Sequence, residues 1–280
     1  MKRRIILHIG SPKCGSTYLQ QVMVRNRARL GLMGIAYPEG DGTHPGNAAA
    51  LAEIDRATLE GYFADGAHTL VLSHEDLYSL AKRGDALAAL VAEDGTQVQV
   101  VAFLRPFCEF FFGDYSQFMK QHFQQFLASR SPYGGRNFRE FAARRRETLQ
   151  PALFLSNWQK RFPRTPVLVE NHRAIRPVME RLLDAEDMLD WEVEAELTNP
   201  SLRMEDCDRL VAAMRDPDIP DEVIEAMFLE AFHHTDAPDA GRSDARKVWI
   251  EEMFAPQNAA LLAQFGYDNR LPGYPPVTVA

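Results

Sequence analysis

The sequence has few cysteines. Only three of its 280 residues are cysteines, Cys14, Cys108 and Cys207, and they lie far apart in the chain. They match neither the spacing of a metal site nor an even disulfide framework. We therefore expect a protein of the reducing cytoplasm with no metal site.

Long apolar runs are also missing. The chain begins with the basic stretch Met1–Arg4, followed by the apolar Ile5–Leu7, which has the order of a signal peptide. That apolar run ends at His8 and Gly10 and is too short for the hydrophobic region of such a peptide. No segment approaches the length of a membrane-spanning helix, so we expect no transmembrane segment and leave peripheral membrane contact open.

An excess of positive charge is lacking as well. The chain has 31 Lys and Arg against 39 Asp and Glu, a formal net charge of −8. This balance argues against general nucleic-acid binding, which needs a basic face, but allows a local basic pocket for an anion. Hydrophobic residues make up 46% and charged residues 25%, as in soluble globular proteins. No linker divides the chain clearly, and we predict a single domain over residues 1–280.

Short apolar runs alternate with longer helical patterns. The strands are predicted at Arg4–Ile9, Thr69–Leu72, Gln97–Leu104 and Pro166–Glu170. The helices are predicted at Ser16–Leu30, Ala48–Ala64, Asp76–Glu93, Phe107–Leu127, Phe138–Arg161 and Arg176–Leu189. This alternation indicates an α/β fold, a three-layer sandwich with a central, mostly parallel sheet. Ligands of such sheets bind at the carboxyl ends of the strands.

The residues after the first predicted strand form a glycine-bounded loop, Gly10–Thr17, that leads into a helix. Unpaired N–H groups and the helix dipole favour an anion at a helix N-terminus. The nucleotide-triphosphate P-loop, G-x-x-x-x-G-K-[ST], requires Lys where this chain has Ser16. The lysine of this loop lies three positions earlier, at Lys13.

The segment Pro12-Lys13-Cys14-Gly15-Ser16-Thr17-Tyr18-Leu19 resembles the 5′-phosphosulfate loop of sulfotransferases that use PAPS (3′-phosphoadenosine-5′-phosphosulfate). The resemblance implies a P-loop nucleotide-binding-like fold and a PAPS site formed by Lys13, Cys14, Gly15, Ser16 and Thr17. It also implies that Lys13 assists catalysis by neutralising charge as the S–O bond breaks. A lowered pKa at the helix N-terminus would make Cys14 a nucleophile, but we favour a small residue beside the phosphate.

The second predicted strand is followed by Ser73-His74-Glu75. A His or Glu at a strand end suits a general base, which the acceptor needs when it loses its proton. This triplet resembles the Ser-Ser-Glu at the same place in bacterial and glycan-type sulfotransferases, which favours Glu75 as the base, with His74 second. Alternatively, Ser73 caps the next helix and Glu75 decorates its first turn.

The third predicted strand is followed by Arg105, and its helix carries Ser116. The segment resembles the family element in which an Arg and a Ser hold the 3′-phosphate, and an Arg fork suits a phosphate. The family places that Ser eight positions after the Arg, where this chain has Gly113; Ser116 lies one turn further along. Arg105 could instead form a strand-end salt bridge.

Near the C-terminus, Ala240-Gly241-Arg242 and the later Phe254-Ala255-Pro256-Gln257-Asn258 resemble the Lys-Gly-Arg loop and following helix of heparan-sulfate-type sulfotransferases. The resemblance implies that Gly241 and Arg242 close over the 3′-phosphate and adenine. Ala240 stands where that family has Lys.

Together these elements predict a sulfotransferase that moves the sulfuryl group of PAPS to a hydroxyl or amine of a glycan, lipid headgroup or small molecule, leaving PAP. The scheme needs no metal. A P-loop kinase or nucleotide hydrolase remains an alternative, although no strand-end Asp for Mg²⁺ is evident. A non-catalytic module that holds PAP or another nucleotide is a second alternative, favoured by Gly113 and Ala240.

An arginine-rich stretch lies in the middle of the chain, at Arg130, Arg136, Arg139, Arg144, Arg145 and Arg146. It could bind an anionic acceptor. A solvated helix face is the commoner explanation of such a run.

Overall fold

The computed structural model describes residues 3–40, 44–194 and 200–274. Its centre is a sheet in which the strand order is β2-β3-β1-β4-β5 and every pair of neighbouring strands is parallel. The strands are β1 (Arg4–His8), β2 (Ile35–Ala36), β3 (Thr69–Ser73), β4 (Gln97–Leu104) and β5 (Leu168–Asn171). The predicted α/β class with a parallel sheet is confirmed.

The helices are α1 (Ser16–Arg25), α2 (Arg27–Leu32), α3 (Arg56–Tyr62), α4 (Asp85–Asp94), α5 (Phe107–Ser129), α6 (Phe138–Thr148), α7 (Pro151–Arg161), α8 (Ile175–Leu183), α9 (Met204–Arg215), α10 (Asp221–Ala231), α11 (Asp244–Met253) and α12 (Ala255–Phe265). Among the described residues, no helix is both long enough and apolar enough to cross a membrane.

The strands are nearly continuous apolar runs because both faces of the sheet are covered. On one face, Ile6 and Phe103 belong to a buried cluster that includes Leu19 of α1 and Met179 of α8. The alternate residues of β1 point to the opposite face and are buried too. Sheets covered on both faces are typical of three-layer α/β proteins.

The register brings the carboxyl ends of the strands to one edge. His8, the last residue of β1, lies beside Ser73 of β3 and Val101 of β4. From β1 the chain continues to β2 and β3 on one side, whereas β4 and β5 lie on the other. The connections therefore diverge between β1 and β4, and parallel sheets bind ligands at such a switch point. The residues that follow these two strands are the Gly10–Thr17 loop and Arg105.

The chain divides into two compact units. The first, which we call the sheet unit, comprises Met1–Arg105, Pro151–Asn199 and Ala260–Asp268. The second, the helical unit, comprises Pro106–Gln150, Pro200–Ala259 and Asn269–Ala280. The single domain over residues 1–280 stays a prediction.

Four of the six predicted helices are interrupted. Residues 16–30 form α1 and α2, and residues 76–93 form two 3₁₀ turns followed by α4. The segment 138–161 forms α6 and α7 with a break before Pro151, because a proline disfavours helical backbone at the residue before it. The segment 48–64 forms a short 3₁₀ turn and α3. Asp55 separates them, because it is the N-cap residue of α3 with extended backbone, and its carboxylate accepts from the N–H of Thr58.

Candidate functional site

The loop after β1 begins with a close backbone contact. Gly10 has a φ of 73°, and a Cβ placed on it would lie 2.3 Å from the Cα of Glu75. A side chain at Gly10 would therefore displace Glu75, whose backbone occupies that space. The loop and the segment after β3 are held together at this point.

The loop turns through left-handed residues before α1 begins. Lys13 has a φ of 62° and Gly15 a φ of 86°, and the N–H of Cys14 donates to the carbonyl of Ser11 at 3.3 Å. Gly15 is the N-cap residue of α1 and has no side chain to satisfy the N–H groups of the first turn. The ten-residue helix α1 therefore presents unsatisfied donors and its positive dipole end at the loop.

Two polar atoms near this helix end are buried without a hydrogen-bond partner among the described residues. They are Oγ of Ser16, in a residue only 4% exposed, and Nε of Arg105. A buried unsatisfied donor costs about 1–3 kcal/mol, so such atoms call for an explanation. Two anionic groups, one at the N-terminus of α1 and one beside Arg105, would satisfy the hydroxyl and the guanidinium, and the donor set fits the two phosphate-bearing ends of PAPS.

Cys14 is not poised as a nucleophile. The residue is 2% exposed, and burial raises the pKa of its thiol although the Arg105 charge acts in the opposite direction. Its Sγ donates to Oγ of Ser11 at 3.5 Å. The lowered pKa considered from the sequence is wrong, because burial outweighs the helix end, and Cys14 serves as a packed loop residue.

His74 caps the 3₁₀ turn Glu75–Leu77. Its Nδ1 accepts from the N–H of Asp76 at 3.2 Å, so the neutral ring carries its proton on Nε2. Burial lowers the pKa of His74 and favours this neutral form. The neutral ring of His74 can therefore donate only from Nε2.

Ser73 does not cap that turn, contrary to the alternative drawn from the sequence. Its Oγ is buried, lies 2.8 Å from Nδ1 of His8 and accepts from Nε2 of Gln20 at 3.1 Å. The N–H of Ser73 donates to Oδ1 of Asn47 at 2.8 Å. These polar side chains lie beneath the loop and tie β1, β3 and α1 together. The sequence analysis missed His8, Gln20 and Asn47, because nothing local reveals that they meet.

His44 is a further residue that the sequence analysis missed. Its Nδ1 accepts from the N–H of Gly46 at 3.0 Å, which places the proton of the neutral ring on Nε2. That Nε2 lies 3.8 Å from Oε1 of Glu75, and the rings of His44 and His74 are 5.4 Å apart. The side chain of Glu75 is 38% exposed and can reach a bound molecule.

His172 follows β5 and lies in the neighbourhood of Arg105. Burial, together with the positive charges of Arg105 and Arg173, lowers the pKa of His172 to about 4. The imidazole is therefore neutral at physiological pH. Because ligands of parallel sheets bind at the carboxyl ends of strands, His172 could have been predicted as a site residue if β5 had been predicted to reach Asn171.

Ser116 lies in the interior of the helical unit. The residue is fully buried, and its Oγ accepts from the N–H of Leu202 at 2.7 Å. The hydroxyl therefore anchors the segment before α9, and this geometry argues against its predicted contact with the 3′-phosphate.

Gly241 and Arg242 form a tight turn in the helical unit. A Cβ on Gly241 would lie 2.3 Å from the backbone N of Glu205, so the turn packs directly on the start of α9. Nε of Arg242 donates to the carboxylate of Asp239 at 2.9 Å, and the guanidinium lies 5.7 Å from the ring centre of Phe112. The side chain of Arg242 is 40% exposed, whereas that of Asp239 is 10% exposed.

The structure thus gathers Lys13, Cys14, Gly15, Ser16, Thr17, His74, Glu75 and Arg105 within the sheet unit, whereas Ser116, Gly241 and Arg242 belong to the helical unit. Among the described residues, no group of three or more His, Cys, Asp or Glu side chains is placed to hold a metal ion. Comparison with known proteins gave no matching family model, no matching curated protein and no matching solved structure.

Proposed function

We propose that the chain is a PAPS-dependent sulfotransferase that acts in the cytoplasm on a hydroxyl or amine of a glycan, lipid headgroup or small molecule. The observation that carries the proposal is the loop Gly10–Thr17, in which Lys13 precedes an uncapped helix start beside the unsatisfied atoms of Ser16 and Arg105. A loop of this kind suits a doubly charged group better than a neutral ligand.

Each loop residue has a distinct part in the proposal. The N–H groups from Cys14 to Thr17 and the hydroxyl of Ser16 hold the 5′-phosphosulfate. Lys13 neutralises the charge that develops on the leaving phosphate, and the Arg105 guanidinium binds the 3′-phosphate. When bound, PAPS supplies the sulfuryl group; the chain supplies position and charge.

Glu75 is the better choice for the general base. His74 uses Nδ1 to accept a backbone hydrogen bond and carries a proton on Nε2, so it would have to change tautomer before it could accept a proton. The Glu75 carboxylate is accessible and is fixed through the contact of its backbone with Gly10. A positioned base of this kind contributes about 10²–10⁴ in rate.

Ligand binding separates the proposal from its alternatives. PAP at a concentration of about 100 times its dissociation constant should stabilise the protein by about 2.7 kcal/mol, measured as a shift in Tm. A P-loop kinase or hydrolase would instead respond to ATP with Mg²⁺. A non-catalytic module would bind PAP and transfer nothing.

The activity itself is tested by incubation with [³⁵S]PAPS and a fractionated cell extract, followed by separation of the labelled products. Lys13→Met should slow transfer by about 10²–10³-fold, because one charge-stabilising donor is lost. Lys82→Met, at an exposed lysine of the sheet unit, is the matched control and should keep wild-type activity. The proposal would be contradicted if no fraction became labelled, or if Lys13→Met kept full activity.

A further inference from the structure

Five aromatic side chains of the helical unit form a closed circle of neighbouring rings. They are Phe118, His122 and Phe126 of α5, Tyr133 of the following turn, and Phe141 of α6. The ring centres lie 5.4 Å apart for Phe118 and His122, 5.7 Å for His122 and Phe126, and 5.0 Å for Phe126 and Tyr133. The circle closes through Tyr133 and Phe141 at 5.3 Å and through Phe141 and Phe118 at 5.2 Å.

Local geometry explains the circle. Phe118, His122 and Phe126 are four residues apart and so share one face of α5. Tyr133 is anchored by its hydroxyl, which donates to the carbonyl of Tyr115 at 2.8 Å. Phe141 is held by α6, whose start carries a capping box made by Asn137 and Glu140.

The circle lines a cavity of about 400 Å³. This volume is within the range of sites for small organic molecules. Three arginines, Arg136, Arg144 and Arg145, line the same cavity. The cavity therefore combines apolar walls with positive charge.

The three arginines differ in whether their charge is neutralised. Arg145 forms a two-point ion pair with the buried carboxylate of Asp114, at 2.8 and 3.4 Å, and its guanidinium lies 5.4 Å from the ring centre of Phe118. Arg136 donates to the carbonyl of Tyr133 at 3.1 Å. Neither Arg136 nor Arg144 has a carboxylate partner among the described residues. Two positive charges are thus left at the cavity.

We propose that this cavity binds a small organic acid with a flat aromatic body. The body lies among the five rings, and the acidic group is held by Arg136 and Arg144. A circle of aromatic rings alone would also suit a quaternary ammonium ion. The two guanidinium groups repel a cation and attract an anion, so the charge decides between these ligands. The proposal does not depend on the sulfotransferase function.

The test measures binding of three probes of one shape to the full chain by calorimetry: 2-naphthoate, the neutral 2-naphthalenemethanol and the cationic 2-naphthyltrimethylammonium. Naphthoate should bind at least about 10-fold more tightly than the alcohol, because only the carboxylate makes charge-assisted hydrogen bonds with the guanidinium groups. The cation should bind more weakly than either. Tighter binding of the cation, equal binding of acid and alcohol, or no binding of naphthoate at millimolar concentration would overturn the proposal.

Substitutions at the cavity and outside it show whether naphthoate binds in the cavity. Arg144→Gln should weaken naphthoate binding about 10-fold and leave binding of the alcohol unchanged, since only the charge-assisted contact is lost. Arg139→Gln is the matched control: Arg139 lies on α6 too, but its guanidinium lies over the ring of Trp249 and does not line the cavity. Phe118→Leu should weaken both probes. Equal losses in Arg144→Gln and Arg139→Gln would show that naphthoate binds elsewhere and would reject the site.

Discussion

The imidazole of His44 faces the carboxylate of Glu75, with Nε2 of His44 3.8 Å from Oε1 of Glu75. The backbone N–H of Gly46 occupies Nδ1 of His44 and so fixes the proton of the neutral ring on the nitrogen that faces Glu75. We expect His44 to act as a positioning residue for the proposed base.

Replacement of this imidazole should affect the rate and spare binding of the donor. His44→Ala should lower kcat of sulfuryl transfer about 10-fold, because a carboxylate that is no longer held meets the acceptor in poorer geometry. The KM for PAPS and the Tm shift caused by PAP should stay at wild-type values. His68→Ala, at the amino end of β3, provides a control histidine. An unchanged kcat, or a KM for PAPS that rises in parallel, would contradict the role given to His44.

The contact between Gly10 and Glu75 gives a prediction about stability. In Gly10→Ala the new Cβ meets the Cα of Glu75 at 2.3 Å, and the left-handed φ of 73° adds strain. Gly66→Ala isolates the second effect, because Gly66 has a φ of 84° and nothing within 4 Å of its added Cβ. Gly66→Ala should therefore cost about 1–2 kcal/mol of unfolding free energy, and Gly10→Ala about 1–3 kcal/mol more.

Urea unfolding of both variants, monitored by circular dichroism, measures this difference. Gly10→Ala should also lose PAP-dependent stabilisation, since the loop must move away from Glu75. Equal losses of stability in the two variants would mean that the clash is relieved without cost.

Two buried serines should respond in opposite ways to loss of their hydroxyl. Oγ of Ser16 has no partner among the described residues, so Ser16→Ala should leave the free energy of unfolding unchanged or raise it by up to about 1 kcal/mol. Oγ of Ser73 is bonded to His8 and Gln20, so Ser73→Ala should cost about 1–3 kcal/mol.

The two variants should also differ in PAP affinity, and here Ser16→Ala is the variant with the loss. Ser16→Ala should weaken PAP binding about 10-fold by calorimetry, since a hydrogen bond to a charged phosphate is lost. Ser73→Ala should bind PAP at wild-type strength once it is folded. Destabilisation by Ser16→Ala with unaltered PAP affinity would indicate that its hydroxyl has a structural partner instead.

The sequence predicted those parts of the fold that rest on local patterns. The strand Gln97–Leu104 has the predicted bounds, because eight consecutive residues favour a buried strand. The two-residue β2 is too short to give any signal, so the loop that carries His44 could not be recognised as a strand end. The expectation that ligand-binding residues follow the carboxyl ends of parallel strands pointed to Glu75 and Arg105, whose roles stay predictions.

Local sequence patterns could not predict contacts between segments that are distant in the chain. Ser73 carries a good capping side chain, but His8 and Gln20 bind it from β1 and α1. Ser116 has the spacing of a phosphate ligand, but burial in the helical unit commits it to Leu202. Tertiary packing decided both cases.

Acid should destabilise the protein through its buried histidines. Burial lowers the pKa of His8 to about 3, against 6.5 in an exposed chain, and the pKa of His172 is lowered to about 4. Between these folded values and about pH 6.5, the unfolded chain binds protons that the folded chain does not. Stability therefore rises with pH in this window and falls as the pH drops, by about 1.4 kcal/mol per pH unit for each histidine.

Urea unfolding between pH 4.5 and 6 measures that slope. His8→Asn should lower it by about 1.4 kcal/mol per pH unit, because one proton difference between the unfolded and folded states is removed. His172→Asn should have a similar effect, and the double variant should show the sum of both. Native circular dichroism at pH 7 establishes that each variant is folded before its slope is compared. A His8→Asn slope equal to that of the wild type would mean that His8 takes up its proton in the folded protein, which its burial within the Ser73 network opposes.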